Sequence, residues 1–334
     1  MRFQRKLRIG SDISVSVDLA VTRHRANGAP LAPPNRAQIA GLLGLAEDES
    51  YARARMDQRD RTIERLSGCS PADSSPAALS GYVGEAALRF FETIQWIERS
   101  LGELAIAKRR LLEIGSNPYF LTLLMAERFP HLDHLGVNYF GASVPGMETQ
   151  AIRDDKKRLE SSRFLHADVE RHDLEVAGQF DVVLFCEVLE HLPYDPAWAL
   201  YNIARRVKPG GHLILTTPNP ARMENIVRLI EERETFSDPI SGHGIHGRHN
   251  REYSARELKE MLEGAGFRVL GAQTTDVFAD RWSHDGEVRG YGAYHMLRAV
   301  LDGEARLFRP GWLYRGFRPE QLAQPGSLAP RLGA

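Results

Sequence analysis

Three features of this 334-residue chain predict an α/β fold: a mostly parallel, doubly wound, Rossmann-like sheet with an N-terminal, mainly helical extension. Between residues 110 and 217, short runs rich in Val, Ile, Leu and Phe alternate with segments of helical period. Such alternation implies parallel strands joined by right-handed crossovers, with helices on both faces. Asp181–Phe185 is a short, β-rich apolar run, the pattern of a strand buried on both sides. This run ends abruptly in Glu187, Glu190 and His191, and open α/β sheets carry ligand sites at such strand ends.

In chain order, Ile13–Leu19 alternates apolar and polar residues and reads as a strand with one apolar face, ended by the prolines of Pro30–Pro34. Residues from 35 or 36 to 45, and 48 to 66, read as helices, the second highly charged and facing solvent. Ser67–Ser80 is rich in Ser, Pro and Ala and reads as a linker. Tyr82–Ala107 reads as a long helix whose apolar positions include Leu88, Phe91, Ile94, Trp96 and Ile97. Strands follow at Arg110–Ile114, Asp133–Val137, Phe164–His166, Asp181–Phe185 and His212–Thr217, with helices from Tyr119, about Met147 and about Pro196. Gly303–Ala334 carries four prolines and reads as an extended tail. The expected division is an extension over 1–80, a main domain over 81–300 and a tail over 301–334. The extension would be either a helical cap over the site or an oligomerisation arm.

At 43% hydrophobic and 26% charged, the chain can bury a sizeable core. A net charge of −1 gives no global attraction to phosphate backbones, which counts against nucleic acid as a partner. No apolar run reaches the ~18 to 20 residues of a membrane span, and the basic N-terminus lacks a signal peptide's apolar segment, so a cytoplasmic location is expected. Cys69 and Cys186 have no paired spacing, which indicates neither a disulfide framework nor a cysteine zinc site. Cys186 reads as a small buried residue at its strand end.

Leu111-Leu112-Glu113-Ile114-Gly115-Ser116-Asn117-Pro118 reads as a strand, a tight turn and a helix start. Gly115 lets the backbone pass close to a ligand. One glycine stands where a pyrophosphate loop would need three, so the dinucleotide pattern is not met.

Over roughly residues 108 to 275, the order LLEIGSN, HLGVNYF, FLHADVE, FDVVLFCEVLEHL and RVKPGGHLILTTPNP, followed by YSARELKEMLEGAGFRVLGAQ, resembles the class I S-adenosylmethionine-dependent methyltransferases. The resemblance implies S-adenosyl-L-methionine as cofactor. It places Glu113, Gly115 and the backbone to Asn117 on the methionine and ribose side, Asp168 with Val169 at the adenine, and Glu187 near the reacting methyl. The chain departs from the family at Asn117 and Tyr119, which replace two glycines. It departs again at Asn138, which replaces an acid on the ribose hydroxyls; its one carbonyl still accepts, without charge assistance.

Methyl transfer from a sulfonium needs an in-line nucleophile and relief of its proton by a base or a metal. Glu190, His191 and His249 are the candidate catalytic residues, with His243 and His246 as further candidate bases. EVLEH and HNREY resemble the small-RNA 3′-terminal 2′-O-methyltransferases, which implies a divalent ion on Glu187, Glu190, His191 and His249 engaging a vicinal diol. Mixed carboxylate and imidazole ligation suits Mn²⁺ better than Mg²⁺. The EVLEH string also resembles metal-free methyltransferases of quinone and glycan pathways. The TTPNP loop, the HGRHNREY segment and RPGWLY in the tail resemble bacterial glycan-associated O-methyltransferases, which implies a sugar or oligosaccharide hydroxyl as acceptor. Trp282, Tyr291, Tyr294 and Trp312 would either stack on sugar faces or pack the C-terminal segment. The alternatives are a metal-dependent RNA 2′-O-methyltransferase, a quinone or phenol O-methyltransferase, and a cofactor-free interaction module.

Overall fold

The computed structural model describes residues 2–9, 13–20, 49–66, 76–104, 109–139, 162–170, 173–174, 176–230, 233–236, 247–276 and 292–307. The helices expected over 35–45 and from Met147 lie outside these residues, as do the tail beyond 307, His243, His246, Trp282, Tyr291 and Trp312.

Strand β2 (Ile13–Ala20) covers the alternating run and pairs antiparallel with β1 (Arg2–Ile9). Strand β1 was not foreseen, because Arg5 interrupts the alternation of Phe3, Leu7 and Ile9. Helix α1 (Glu49–Leu66) matches its charged pattern. Helix α2 (Pro76–Glu103) starts earlier than expected and takes in residues 76–80 of the stretch read as a linker. Proline is tolerated in a first turn, and the following Ala77, Ala78 and Leu79 are strong helix formers.

The remaining strands build one seven-stranded sheet in the order β5-β4-β3-β6-β7-β9-β8. They are β3 (Arg110–Ile114), β4 (Asp133–Asn138), β5 (Ser162–His166), β6 (Phe180–Cys186), β7 (Val207–Pro218), β8 (Phe267–Thr275) and β9 (Tyr294–Leu301). Neighbours from β5 through β7 pair in parallel, while β9 runs antiparallel to both β7 and β8. The sheet is therefore mixed, mostly parallel and Rossmann-like. Chain progression reverses between β3 and β6, which is the switch point where such sheets bind ligands.

Alternate side chains of the central strands feed two cores. Leu111, Val182, Leu184 and Ile214 pack under α2 and α3 (Phe120–Arg128), against Phe90, Ile97, Phe120 and Leu124. Leu112, Ile114, Val183, Phe185, Leu213 and Leu215 join Leu200, Ile203, Leu258 and Met261 from α4 (Pro196–Ala204) and α6 (Ala255–Gly264). Both faces being covered explains why these strands read as unbroken apolar runs. β7 begins five residues before the expected His212, with a register irregularity opposite Phe180 and Val182 and Gly210 at φ 77°. A short helix, α5 (Met223–Ile230), follows β7. No helix among the described residues is long and apolar enough to cross a membrane.

Candidate functional site

A cavity of about 290 Å³ opens over the C-terminal ends of β3, β6 and β7, under α2. After β3, Gly115 turns at φ 78°, and its N–H donates to Val137 O (2.7 Å). Glu113 lies on the same strand face as Leu111 and so points at α3, where its Oε2 accepts from Thr122 Oγ1 (2.6 Å) and meets His134 Nε2 at 2.9 Å. Asn138 at the end of β4 fastens the turn: its Oδ1 accepts from Asn117 N–H (2.9 Å) and its Nδ2 donates to Ser116 Oγ (2.8 Å). Glu113, Gly115 and Asn117 line the cavity; Asn138, Asp168 and Val169 are buried outside its lining. Asp168 Oδ1 instead accepts from Glu170 N–H (2.9 Å).

After β6, Glu187 adopts φ 56°. Its Oε1 accepts from Thr216 Oγ1 (2.8 Å) and its Oε2 pairs with Arg89 Nη1 of α2 (2.6 Å). Leu189–His191 forms a 3₁₀ turn that aims Glu190 inward, fully buried. Glu190 Oε2 accepts from Thr217 Oγ1 (2.9 Å), while Oε1 has no hydrogen-bond partner among the described residues. Burial pushes the Glu190 carboxyl above its ordinary range.

The 247–254 segment ahead of α6 is stapled to this turn. Asn250 N–H donates to Glu190 O (2.7 Å), Asn250 Nδ2 to His191 O (2.8 Å), and His191 Nδ1–H to Arg248 O (3.0 Å). The staples set the His191 and His249 rings edge to face, 4.9 Å between centroids. Ligand atoms of Glu190, His191 and His249 then lie within 4.8 Å of one another. Glu187, expected among the metal ligands, is outside that cluster and held by Arg89. Burial draws the His249 imidazole down, but its hydrogen bond to Glu252 and the charge of Glu190 outweigh this and hold it above its ordinary value. Cys186, expected as a small buried residue at its strand end, is instead half-buried on the cavity wall, and burial pushes its thiol up to about 12.

Several lining residues were not legible in the sequence. Tyr82, Arg89, Phe90 and Thr93 share the face of α2 that roofs the cavity. The available signal was an arginine and a threonine on a face otherwise made of Val83, Ala86, Phe90 and Ile97. Tyr294, expected to stack on sugar or pack the C-terminal segment, opens β9 at the cavity wall beneath Arg89, whose guanidinium carbon is 5.5 Å from its ring centroid. Arg222 and Glu252 pair with one another beside His249; Arg222 carried no signal, and Glu252, within the HNREY segment, was given no role.

Residues 84–272 match the model of a family described as a methyltransferase domain. The chain is 30% identical over 183 residues to a ubiquinone biosynthesis O-methyltransferase of Aeromonas salmonicida (strain A449), covering 53% of this chain and 69% of that protein. It is 32% identical over 126 residues to the protein of that name from Acinetobacter baumannii (strain AYE), covering 38% of this chain and 50% of the relative. The chain thus spans only half the length of some of the curated relatives it matches. Among solved structures it is similar to magnesium protoporphyrin IX methyltransferase from Synechocystis PCC 6803 with bound SAH, at TM-score 0.47 and 14% identity over 76% of this chain and 99% of that one.

Proposed function

The chain belongs to this methyltransferase-domain family, and on that ground we propose that it moves a methyl group from S-adenosyl-L-methionine to a hydroxyl of a small molecule. The observation that carries the reading is the cavity at the β3/β6 switch point, where the Gly115 turn faces Glu190, His191 and His249. When bound, the cofactor supplies a sulfonium-activated methyl. The residues present fit it: a positive-φ glycine keeps the 115–117 backbone against the cavity, and Asn117 and Glu187 offer polar atoms there for its amine, carboxylate and hydroxyls.

His249 would take the acceptor hydroxyl's proton, and Glu190 would hold that hydroxyl in line. Glu190 Oε1, buried without a hydrogen-bond partner among the described residues, also fits a divalent ion shared with His191 and His249. Such an ion, Mn²⁺ before Mg²⁺, would acidify the hydroxyl and favour an acceptor with a second oxygen beside it. The charged lining supports a polar acceptor such as a sugar or oligosaccharide. A phenolic or quinol acceptor is the second reading, and the names of the relatives favour it.

Labelled S-adenosylmethionine offered with sugars, catechols and a short RNA tests the reading. Methylation of a small-molecule hydroxyl is expected, with Glu190→Gln and His249→Asn reducing turnover at least 100-fold while S-adenosylhomocysteine still binds. Failure of the wild type to bind S-adenosylhomocysteine would overturn the assignment, and methylation of the RNA alone would overturn the small-molecule acceptor.

A further inference from the structure

His249 is held by two independent devices. The backbone staples of Asn250 and Arg251 to Glu190 O fix where the residue sits, at 2.7 and 3.3 Å. A separate clamp fixes which ring nitrogen faces which way: His249 Nδ1 lies 3.1 Å from Glu252 Oε1, and the other oxygen of that carboxylate is taken by Arg222 Nη1. Arg222 is itself anchored, since the same Nη1 donates to Asn219 O (3.0 Å). Asn219 closes the turn after β7 by accepting from Ala221 N–H (2.9 Å) and donating to Gly292 O (2.7 Å). The chain of contacts runs from the end of β7, through Arg222 and Glu252, to the cavity. Glu252 is 13% exposed and Arg222 18%, so solvent competes little for either.

We infer that Arg222 and Glu252 are positioning residues that dictate the tautomer of His249, placing its proton on Nδ1 and presenting the Nε2 lone pair to the site. An ionised carboxylate only accepts, so the neutral ring facing it must donate from Nδ1. Arg222 only donates, so whatever stands at position 252 must turn an acceptor toward it. The inference rests on the proposed role of Nε2 as base or ligand, but the tautomer can be observed without any methyl transfer.

The arrangement gives an unusual expectation for Glu252→Gln, which conserves shape. Arg222 forces the glutamine oxygen to its own side, and the amide NH₂ is left facing His249 Nδ1. The ring must then carry its proton on Nε2, where it neither accepts a proton nor binds a metal. Removing the forcing group in Arg222→Met/Glu252→Gln lets the amide rotate its oxygen toward Nδ1, so the ring is no longer held to Nε2–H and regains Nδ1–H in part.

Nitrogen-15 NMR of the imidazoles, at a pH high enough for the ring to be neutral, reads this directly, with His249 assigned by its loss in His249→Asn. The expected result is Nδ1–H in the wild type, Nε2–H in Glu252→Gln and a partial return of Nδ1–H in the double variant. Methyl transfer and Mn²⁺ binding by calorimetry should fall at least tenfold in Glu252→Gln and recover in part in the double variant, with S-adenosylhomocysteine affinity within twofold throughout. A wild-type ring protonated on Nε2, or a Glu252→Gln ring still on Nδ1, overturns the inference. The tautomer pattern without any change in transfer or metal binding overturns the role given to Nε2 instead. Thermal melting of each variant separates loss of fold from loss of orientation.

Discussion

Gly115 sits where backbone conformation and space both exclude a side chain. Its φ of 78° is left-handed, and a Cβ there would overlap Val188 Cγ2 on the wall of the turn. Gly115→Ala is therefore expected to lose roughly 1–3 kcal/mol of stability to the backbone alone, with the overlap added. Val188→Ala in the same background should recover the overlap but not the backbone part. Urea melts of the two variants check this, and calorimetry should show S-adenosylhomocysteine binding weakened in both. At this scale the sequence was informative where residues are contiguous: Gly115 announces a turn by type, and Glu187, Glu190 and His191 fall within five residues past one strand. The pairing of Glu252, itself within HNREY, with Arg222 was not legible because neither type nor spacing says that two loops, after β7 and before α6, meet at one imidazole. Asn138 illustrates another gap. A residue read for its chemistry toward a ligand spends its hydrogen bonds on Asn117 and Ser116 in the turn beneath.

The segment leading into α4 is set by a buried carboxylate. Glu170 Oε1 accepts from the N–H groups of Tyr194 and Asp195, and Asp195 in turn caps the helix by accepting from Trp198 N–H (2.9 Å). Glu170 Oε2 is buried without a hydrogen-bond partner among the described residues, so protonation there costs no contact. Burial outweighs the two backbone donors and raises this carboxyl from 4.5 to about 7. Because the folded value lies above the unfolded one, the stabilisation is fully present below about pH 4.5 and is lost as pH rises through about 7. The loss should be no more than roughly 3–4 kcal/mol at about 1.4 kcal/mol per unit. Glu170→Gln mimics the protonated form and should remove this component, so the variant gains on the wild type as pH rises. Denaturant melts across that range test it, and parallel curves would sink the account. Elements with a strong period and two buried faces, such as β6, were legible with near-correct bounds. Strand β9 was missed because it enters antiparallel between β7 and β8, outside the β-then-α rhythm, and Arg298 breaks its apolar run. The start of α2 was missed because Pro and Ser suggested a linker, whereas packing of Val83, Ala86 and Phe90 onto the sheet extends the helix backward.

Across the whole molecule, the site is complete only where α2 lies over the sheet. Tyr82, Arg89, Phe90 and Thr93 reach the cavity from α2, while Glu113, Glu187 and Thr216 rise from the strands below. Outside the cavity, Arg55 of α1 pairs with Glu92 (3.0 Å), which also accepts from Gln273 of β8 (3.1 Å), so α1 and α2 are tied to the far edge of the sheet as well. Within the cavity the tie is Arg89 to Glu187, with side chains only 9% and 17% exposed. Such a pair contributes little compared with two apolar residues, because desolvation cancels most of the attraction, but removing one partner leaves a buried charge uncompensated. Arg89→Met should therefore cost roughly 3–5 kcal/mol, and Arg89→Met/Glu187→Gln should recover most of it. If α2 were merely resting on the domain, both variants would melt within about 0.5 kcal/mol of the wild type, the usual range for surface changes. The double variant also separates roof from floor. With the ion pair gone and the fold retained, any change in which acceptors are methylated comes from the α2 face, while a change in S-adenosylhomocysteine affinity comes from Glu187 at the end of β6.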